Sequence, residues 1–127
     1  MIKITFCLRR RADLSPAAFY DYWLNSHAPL VRSFQPALRM VRYVQVHAME
    51  TVLSGPMQGA RKAPEPFDGV AELWWRSLED LEASVKDPAS REAGRALLED
   101  EAKFIDLANS PLWFGREHVI IGSEHTD

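Results

Sequence analysis

Three stretches of this sequence carry side chains able to move a proton or hold a developing charge near neutral pH. His27 stands in Ser26-His27-Ala28-Pro29, where proline interrupts a helical pattern. An imidazole titrates near neutrality, so at such a break it can take a proton from a hydroxyl or from carbon beside a carbonyl. The position equally suits a histidine that only hydrogen-bonds the last helix carbonyls. Tyr43 and His47 lie four residues apart in a strand-like stretch and share its parity. The Tyr43 phenol can donate to a carbonyl oxygen that becomes enolate-like, or it can simply pack as an amphipathic ring. His47 can supply a second acid or base along the same wall, or sit at a solvated strand end. Glu72 is the odd residue in Val70-Ala71-Glu72-Leu73-Trp74-Trp75. A carboxylate there needs a partner, such as Arg42, or a raised pKa and a place in a pocket. Trp74 shares the parity of Glu72 and can form a flat apolar wall for a planar ligand, or only core.

Other chemistries find little support. Cys7 is the single cysteine, so it forms no intramolecular disulfide, and no histidine beside it in sequence activates it. It reads as packing, and cysteine usage points to a reducing, cytoplasmic location. His27, His47, His118 and His125 lack metal-site spacing, and no glycine-rich phosphate loop follows a strand, so neither a metal nor a tightly held cofactor is expected. Fifteen Lys plus Arg against eighteen Asp plus Glu give a net charge of −3, which offers no general attraction to nucleic acid or an anionic membrane. The run Arg9-Arg10-Arg11 reads as an anion clamp or, more plainly, a solvated strand end. The apolar stretch Met1 to Leu8 stops at those arginines, far short of a bilayer span of about 20 residues, and lacks the parts of a signal peptide.

The elements that must position these residues follow from periodicity. With 127 residues, 46% hydrophobic and 26% charged, the chain has the size and balance of one globular domain. Met1 to Leu8 alternates Ile2, Ile4, Phe6 and Leu8 against Lys3, Thr5 and Cys7, which predicts a first strand. Ser15-Pro16 is an N-cap followed by proline, and Phe19, Tyr22 and Trp23 mark a helix running to about Ser26. Leu30, Val31 and Phe34 predict a short second helical piece before Pro36. Met40 to His47 is the second strand, with Val41, Tyr43, Gln45 and His47 on one face. Glu50 to Pro66 has turn residues and no period, which predicts a long, mobile, lid-like loop. Val70 to Arg76 is strand three. Ser77 then opens a helix with Leu78, Leu81 and Val85 inward, and Asp87-Pro88 opens another with Leu97, Leu98, Ala102 and Ile105 on one side. Trp113 to Ile121 is the fourth strand.

The order β-α-β-β-α-β, with the second helical region split, is the ferredoxin-like α+β arrangement of a four-stranded antiparallel sheet with helices on one face. Trp74-Trp75 and Val119-Ile120-Ile121 put large apolar groups on both sides of their strands. The uncovered face should therefore meet another sheet, and a second copy of the chain is the economical source.

Arg10-Arg11, Leu14-Ser15-Pro16-Ala17-Ala18-Phe19, Tyr22-Trp23, Ser26-His27-Ala28-Pro29-Leu30-Val31, Asp68-Gly69-Val70-Ala71-Glu72-Leu73-Trp74 and Asp87-Pro88 together resemble the EthD family over nearly the whole chain. The resemblance implies a dimeric α/β barrel. It also implies a range of activities: the family takes its name from an ether-degradation protein that accompanies an oxidative system, while relatives include cofactor-free cyclases, dehydratases, decarboxylases and lactone isomerases. In methylmuconolactone isomerases of the same superfamily, a histidine after the first helix and a tyrosine of the second strand line the pocket, and His27 and Tyr43 occupy similar places. The expectation is a cofactor-independent enzyme for a small apolar or aromatic carbonyl compound or lactone, of cyclase, dehydratase or isomerase type. His27 and Tyr43 would be catalytic, with His47, Glu72 and Trp74 contacting substrate. The rivals are an accessory, ligand-carrying protein of an oxidative pathway and a cofactor-free monooxygenase.

Overall fold

Four strands and six α-helices are laid out in a computed structural model that describes residues 1–123. Strand β1 is Ile2–Leu8, β2 Arg42–His47, β3 Gly69–Trp75 and β4 Leu112–Arg116. They form one sheet in the order β2-β3-β1-β4, every neighbouring pair antiparallel. The helices are α1 Pro16–Tyr22, α2 Ala28–Ser33, α3 Gln35–Leu38, α4 Ser54–Ala60, α5 Leu78–Val85 and α6 Pro88–Glu101; a π-helical turn, Trp23–His27, joins α1 to α2. This is the ferredoxin-like α+β arrangement, its second helical region split into α5 and α6.

The caps perform as their residue types dictate. Ser15 accepts from the Ala18 amide, Ser77 from Asp80 and Asp87 from Ala89, each satisfying one of the free amides at a helix start. Register divides the sheet into two faces. Ile2, Ile4, Phe6 and Leu8 of β1 lie beside Trp75, Leu73, Ala71 and Gly69 of β3, which in turn lie beside Tyr43, Gln45 and His47 of β2. This face packs on the helices, around a core of Phe6, Leu8, Phe19, Trp23, Phe104 and Ile105 and a second cluster of Val31, Met40, Trp75 and Leu97. Lys3, Thr5, Cys7, Val44, Val46, Val70, Glu72, Trp74 and Trp113 point the other way.

Several expected boundaries move. Strand β2 starts at Arg42 rather than Met40, because Arg39 ends α3 in a left-handed conformation (φ 60°) and the chain must turn before it can pair. Strand β4 stops at Arg116, which pairs with Ile2, the first residue of β1. Val119, Ile120 and Ile121 consequently leave the sheet and are exposed. The segment expected to be an irregular loop contains α4; Pro56 falls within its first turn, where no amide is required. In α6 the buried stripe is Ser90, Ala93, Leu97 and Asp100, while Leu98, expected inward, is 55% exposed and Ala102 is exposed too. Leu78 and Val85 of α5 also face solvent, leaving Leu81 to pack on the core.

Candidate functional site

The π-helical turn sets the geometry of the site. Pro29 has no amide and its ring crowds the carbonyl four residues back, so a wider turn suits the chain here. The Ala28 amide reaches the Trp23 carbonyl, five residues back, and His27 is turned into the interior at 5% exposure. Its Nδ1 lies 2.7 Å from Oδ2 of Asp100, and the other oxygen of that carboxyl accepts the Tyr22 hydroxyl at 2.6 Å. Lys103 adds a looser contact at 3.5 Å.

These bonds decide the protonation states. Burial pushes the Asp100 carboxyl upward, but hydrogen bonds from Tyr22 and His27 outweigh it and hold the group below its ordinary value. The Tyr22 hydroxyl, tied to that carboxylate and desolvated, is pushed up to about 12 and keeps its proton. An ionised Asp100 only accepts, so Nδ1 of His27 donates and Nε2 keeps its lone pair. Burial lowers the His27 pKa more than Asp100 raises it, so the ring is neutral at pH 7 and able to act as a base.

His27 lines a small space between the helices and the sheet, of about 40 Å³, together with Tyr43, Glu101 and apolar neighbours including Val31, Leu73 and Leu97. Such a volume holds about one water molecule. Val31 and Tyr43 are also walls of an adjacent groove of about 320 Å³, bordered by Arg32, Gln35 and Arg42. Of these two, only the groove reaches the size range of small-molecule sites. Two broader depressions of about 530 and 570 Å³, beside Arg11 and beyond the end of β4, contain none of His27, Tyr43 and Glu101.

Tyr43 is held by Gln45. The Gln45 amide nitrogen donates to the Trp23 carbonyl at 2.9 Å and to the Tyr43 oxygen at 2.8 Å. Because a carbonyl can only accept, the orientation of this amide is determined, and the Tyr43 oxygen receives a hydrogen bond while its own proton is left to donate. Burial raises the Tyr43 pKa, partly offset by bonds from Gln45 and Trp23. The phenol therefore stays protonated at neutral pH.

His47 is drawn into the same network from outside the cavity. Its Nε2 lies 2.8 Å from Oε1 of Gln45 and must donate to it; its ring stacks on Trp23, centroids 4.4 Å apart and planes 9° from parallel. Gly69 makes this stack possible, since a Cβ there would sit 2.5 Å from the Trp23 ring. His47 thus buttresses Gln45 and Trp23 rather than facing His27 across the cavity.

Glu72 and Trp74 lie on the opposite face of the sheet from His27 and Tyr43, as their register beside Thr5 and Lys3 requires. Glu72 pairs with Lys3, not Arg42. Trp74 is 2% exposed despite facing away from the helices: Lys3 and Arg42 lie over its ring and Glu117 accepts from its indole N–H. Cys7 lies on that same face, opposite Val70. Among the described residues no three potential ligands converge as a metal site, and no helix is long and apolar enough to cross a membrane. His125 lies outside the described residues.

Two residues at the end of α6 were not singled out by sequence reasoning. Asp100 and Glu101 read as an ordinary acidic helix end in Leu98-Glu99-Asp100-Glu101. The missed signal is their place seven and eight residues after Ala93, in line with Leu97 and Phe104 on the inward side. The Glu101 side chain makes no hydrogen bond or ion pair with another described residue; burial, then the neighbouring Asp100 charge, pushes its carboxyl up to about 7.

The EthD domain model matches residues 11–108. The chain belongs to the EthD family. An EthD protein of Metarhizium robertsii, a conidial pigment biosynthesis dehydratase, is 27% identical over 120 residues, spanning 91% of this chain and 81% of its own. An EthD family protein of Bacillus halodurans superposes with a TM-score of 0.60 at 19% identity, covering 93% of this chain and all of its own. An EthD-like protein of Ralstonia eutropha does so with a TM-score of 0.60 at 18% identity, covering 96% of this chain and 94% of its own. These superpositions establish the EthD fold.

Proposed function

We propose that this EthD protein is a cofactor-independent enzyme of lyase or isomerase type, acting on a small apolar or aromatic carbonyl compound. The observation that carries the reading is the pairing of His27 with Asp100: it leaves Nε2 of a neutral imidazole with its lone pair, on a residue that lines the same space as Tyr43. His27 takes a proton from carbon beside the substrate carbonyl, and the free Tyr43 O–H donates to the oxygen as it gains charge. The bulk of the substrate occupies the groove bordered by Val31 and Tyr43, with its reacting carbons at the cavity. The name of the Metarhizium dehydratase supports a lyase over an isomerase.

The working unit in this reading is a homodimer. Val46 and Trp113, 47% and 49% exposed, stand with Val44 and Val70 on the sheet face that carries no helices. Covering that face with a second sheet removes them from water. Light scattering at micromolar concentration is expected to give twice the chain mass, and a monomer would contradict the assembly.

The catalytic assignment is tested by His27→Gln, which keeps hydrogen-bonding capacity but is no base. A folded variant is expected to lose about 10²–10⁴ in rate on a screened carbonyl substrate, with Tyr43→Phe slower than wild type in the same assay. Unchanged turnover would end the assignment. A ligand-carrying accessory protein would instead show altered affinity and no turnover in wild type.

A further inference from the structure

Base and oxyanion donor do not exhaust the cavity: a third group with proton chemistry lines it and is bonded to nothing. Glu101 shares the roughly 40 Å³ space with His27 and Tyr43. The other polar side chains around it are each held by at least one hydrogen bond. Tyr22 and His27 both donate to Asp100, Gln45 donates to Tyr43 and Trp23, and His47 donates to Gln45. Glu101 is half-buried, and a partly desolvated carboxyl without a side-chain partner favours its neutral form and is available to a ligand.

We infer that Glu101 is the proton donor to the leaving group, and that the substrate of this site is a β-hydroxy carbonyl compound from which water is eliminated. The inference rests on the assignment of His27 and Tyr43 above. His27 Nε2 removes the proton from the α-carbon, and the C–H electron pair forms the enolate, whose oxygen receives the Tyr43 hydrogen bond. The enolate then re-forms the carbonyl, its electrons making the double bond between the α- and β-carbons. The β-carbon–oxygen bond breaks, and the departing hydroxide takes the Glu101 proton to become water. The chain is left with a protonated His27 and an ionised Glu101; a water entering after product leaves returns the proton from one to the other. Nothing is oxidised or reduced, and no co-reactant is needed.

The proton is available where the step requires it. Desolvation and the adjacent Asp100 charge keep Glu101 protonated to about pH 7, while His27 is already neutral there. An acid and a base whose environments push them toward one pH are suited to opposite halves of an elimination. The groups facing Glu101 include Asp100 beside it on α6, His27 from the π-helical turn and Tyr43 from β2, with Tyr22 and Lys103 bonded to Asp100.

Two measurements test the inference. The first uses the β-hydroxy ketone formed from benzaldehyde and acetone, in deuterium oxide, with the enone followed by absorbance and deuterium at the α-carbon of unreacted ketone followed by proton NMR. Wild type is expected to form enone. Glu101→Gln is expected to form it about 10²–10⁴ more slowly yet still carry deuterium into the ketone, because the base and oxyanion donor remain. His27→Gln is expected to lose both. Enone formation at the wild-type rate by Glu101→Gln, or none by wild type, overturns the role of Glu101. Deuterium entry surviving in His27→Gln overturns the underlying assignment instead. The second measurement needs no substrate: the ¹³C carboxyl resonance missing from the Glu101→Gln spectrum is expected to titrate near neutrality. A midpoint in the ordinary carboxylate range overturns the inference.

Discussion

The two faces of the sheet treat polar side chains in opposite ways. On the helix-covered face, Tyr43 and Gln45 are tied to Trp23 at the π-helical turn, and His27, Tyr22 and Asp100 form a second buried group beside them. These groups are buried or half-buried, so each hydrogen bond fixes an orientation and a protonation state. On the far face, Lys3 meets Glu72 with both side chains about one-fifth exposed, and cations lie over the ring of Trp74. In the single chain these charges remain close to water and can recover hydration if a partner is lost. A carboxylate therefore means different things on the two sides: at Asp100 it dictates which nitrogen of His27 is a base, whereas at Glu72 it completes a surface pair.

The sharpest way to test this contrast is to remove the central acceptor. Asp100→Leu leaves the Tyr22 hydroxyl and His27 Nδ1–H buried without an acceptor, and is expected to cost about 3–5 kcal/mol in urea denaturation as well as the activity. A cost below about 1 kcal/mol would show that the two faces are alike. The next effect depends on pH. Glu101 holds its proton to about pH 7 in the folded chain, against an ordinary value of 4.5. As pH rises between these values the unfolded chain releases its proton first, so folding is progressively disfavoured, by up to about 3 kcal/mol above pH 7. Glu101→Gln is accordingly expected to be more stable than wild type above pH 7, with the advantage shrinking toward zero below pH 4.5. Equal pH profiles would show that the carboxyl is solvated. The smallest effect belongs to the far face: Glu72→Gln should change the stability of the single chain by less than about 1 kcal/mol and leave turnover unaltered, because Glu72 pairs with a partly exposed Lys3 away from His27 and Tyr43 and the amide can still accept from Lys3. A larger loss of turnover would return Glu72 to the site.

Much of the fold was legible because it depends on short-range rules. The alternation of β1, the caps Ser15, Ser77 and Asp87, and the break at Pro29 each declare themselves within a few residues. The shared parity of Tyr43 and His47 was readable too, since side chains two and four residues apart in a strand must share a face. Strand ends were less legible. The apolar run through Ile121 resembles a longer fourth strand, but a strand's extent depends on its pairing, and pairing stops at Arg116 opposite Ile2.

The sequence by itself determined the ferredoxin-like order of elements, the helix break that carries His27 and the strand that carries Tyr43, because helix and strand periods convert directly into faces. Only the tertiary structure decided which of those faces meet. It put Glu72 and Trp74 behind the sheet, through the β1–β3 register, and turned Asp100 and Glu101 inward from an acidic helix end. Charge alone could not reveal this: whether a carboxylate is solvated, paired or left bare in a cavity depends on what packs against it, and for α6 those partners come from the π-helical turn some 73 residues earlier in the chain.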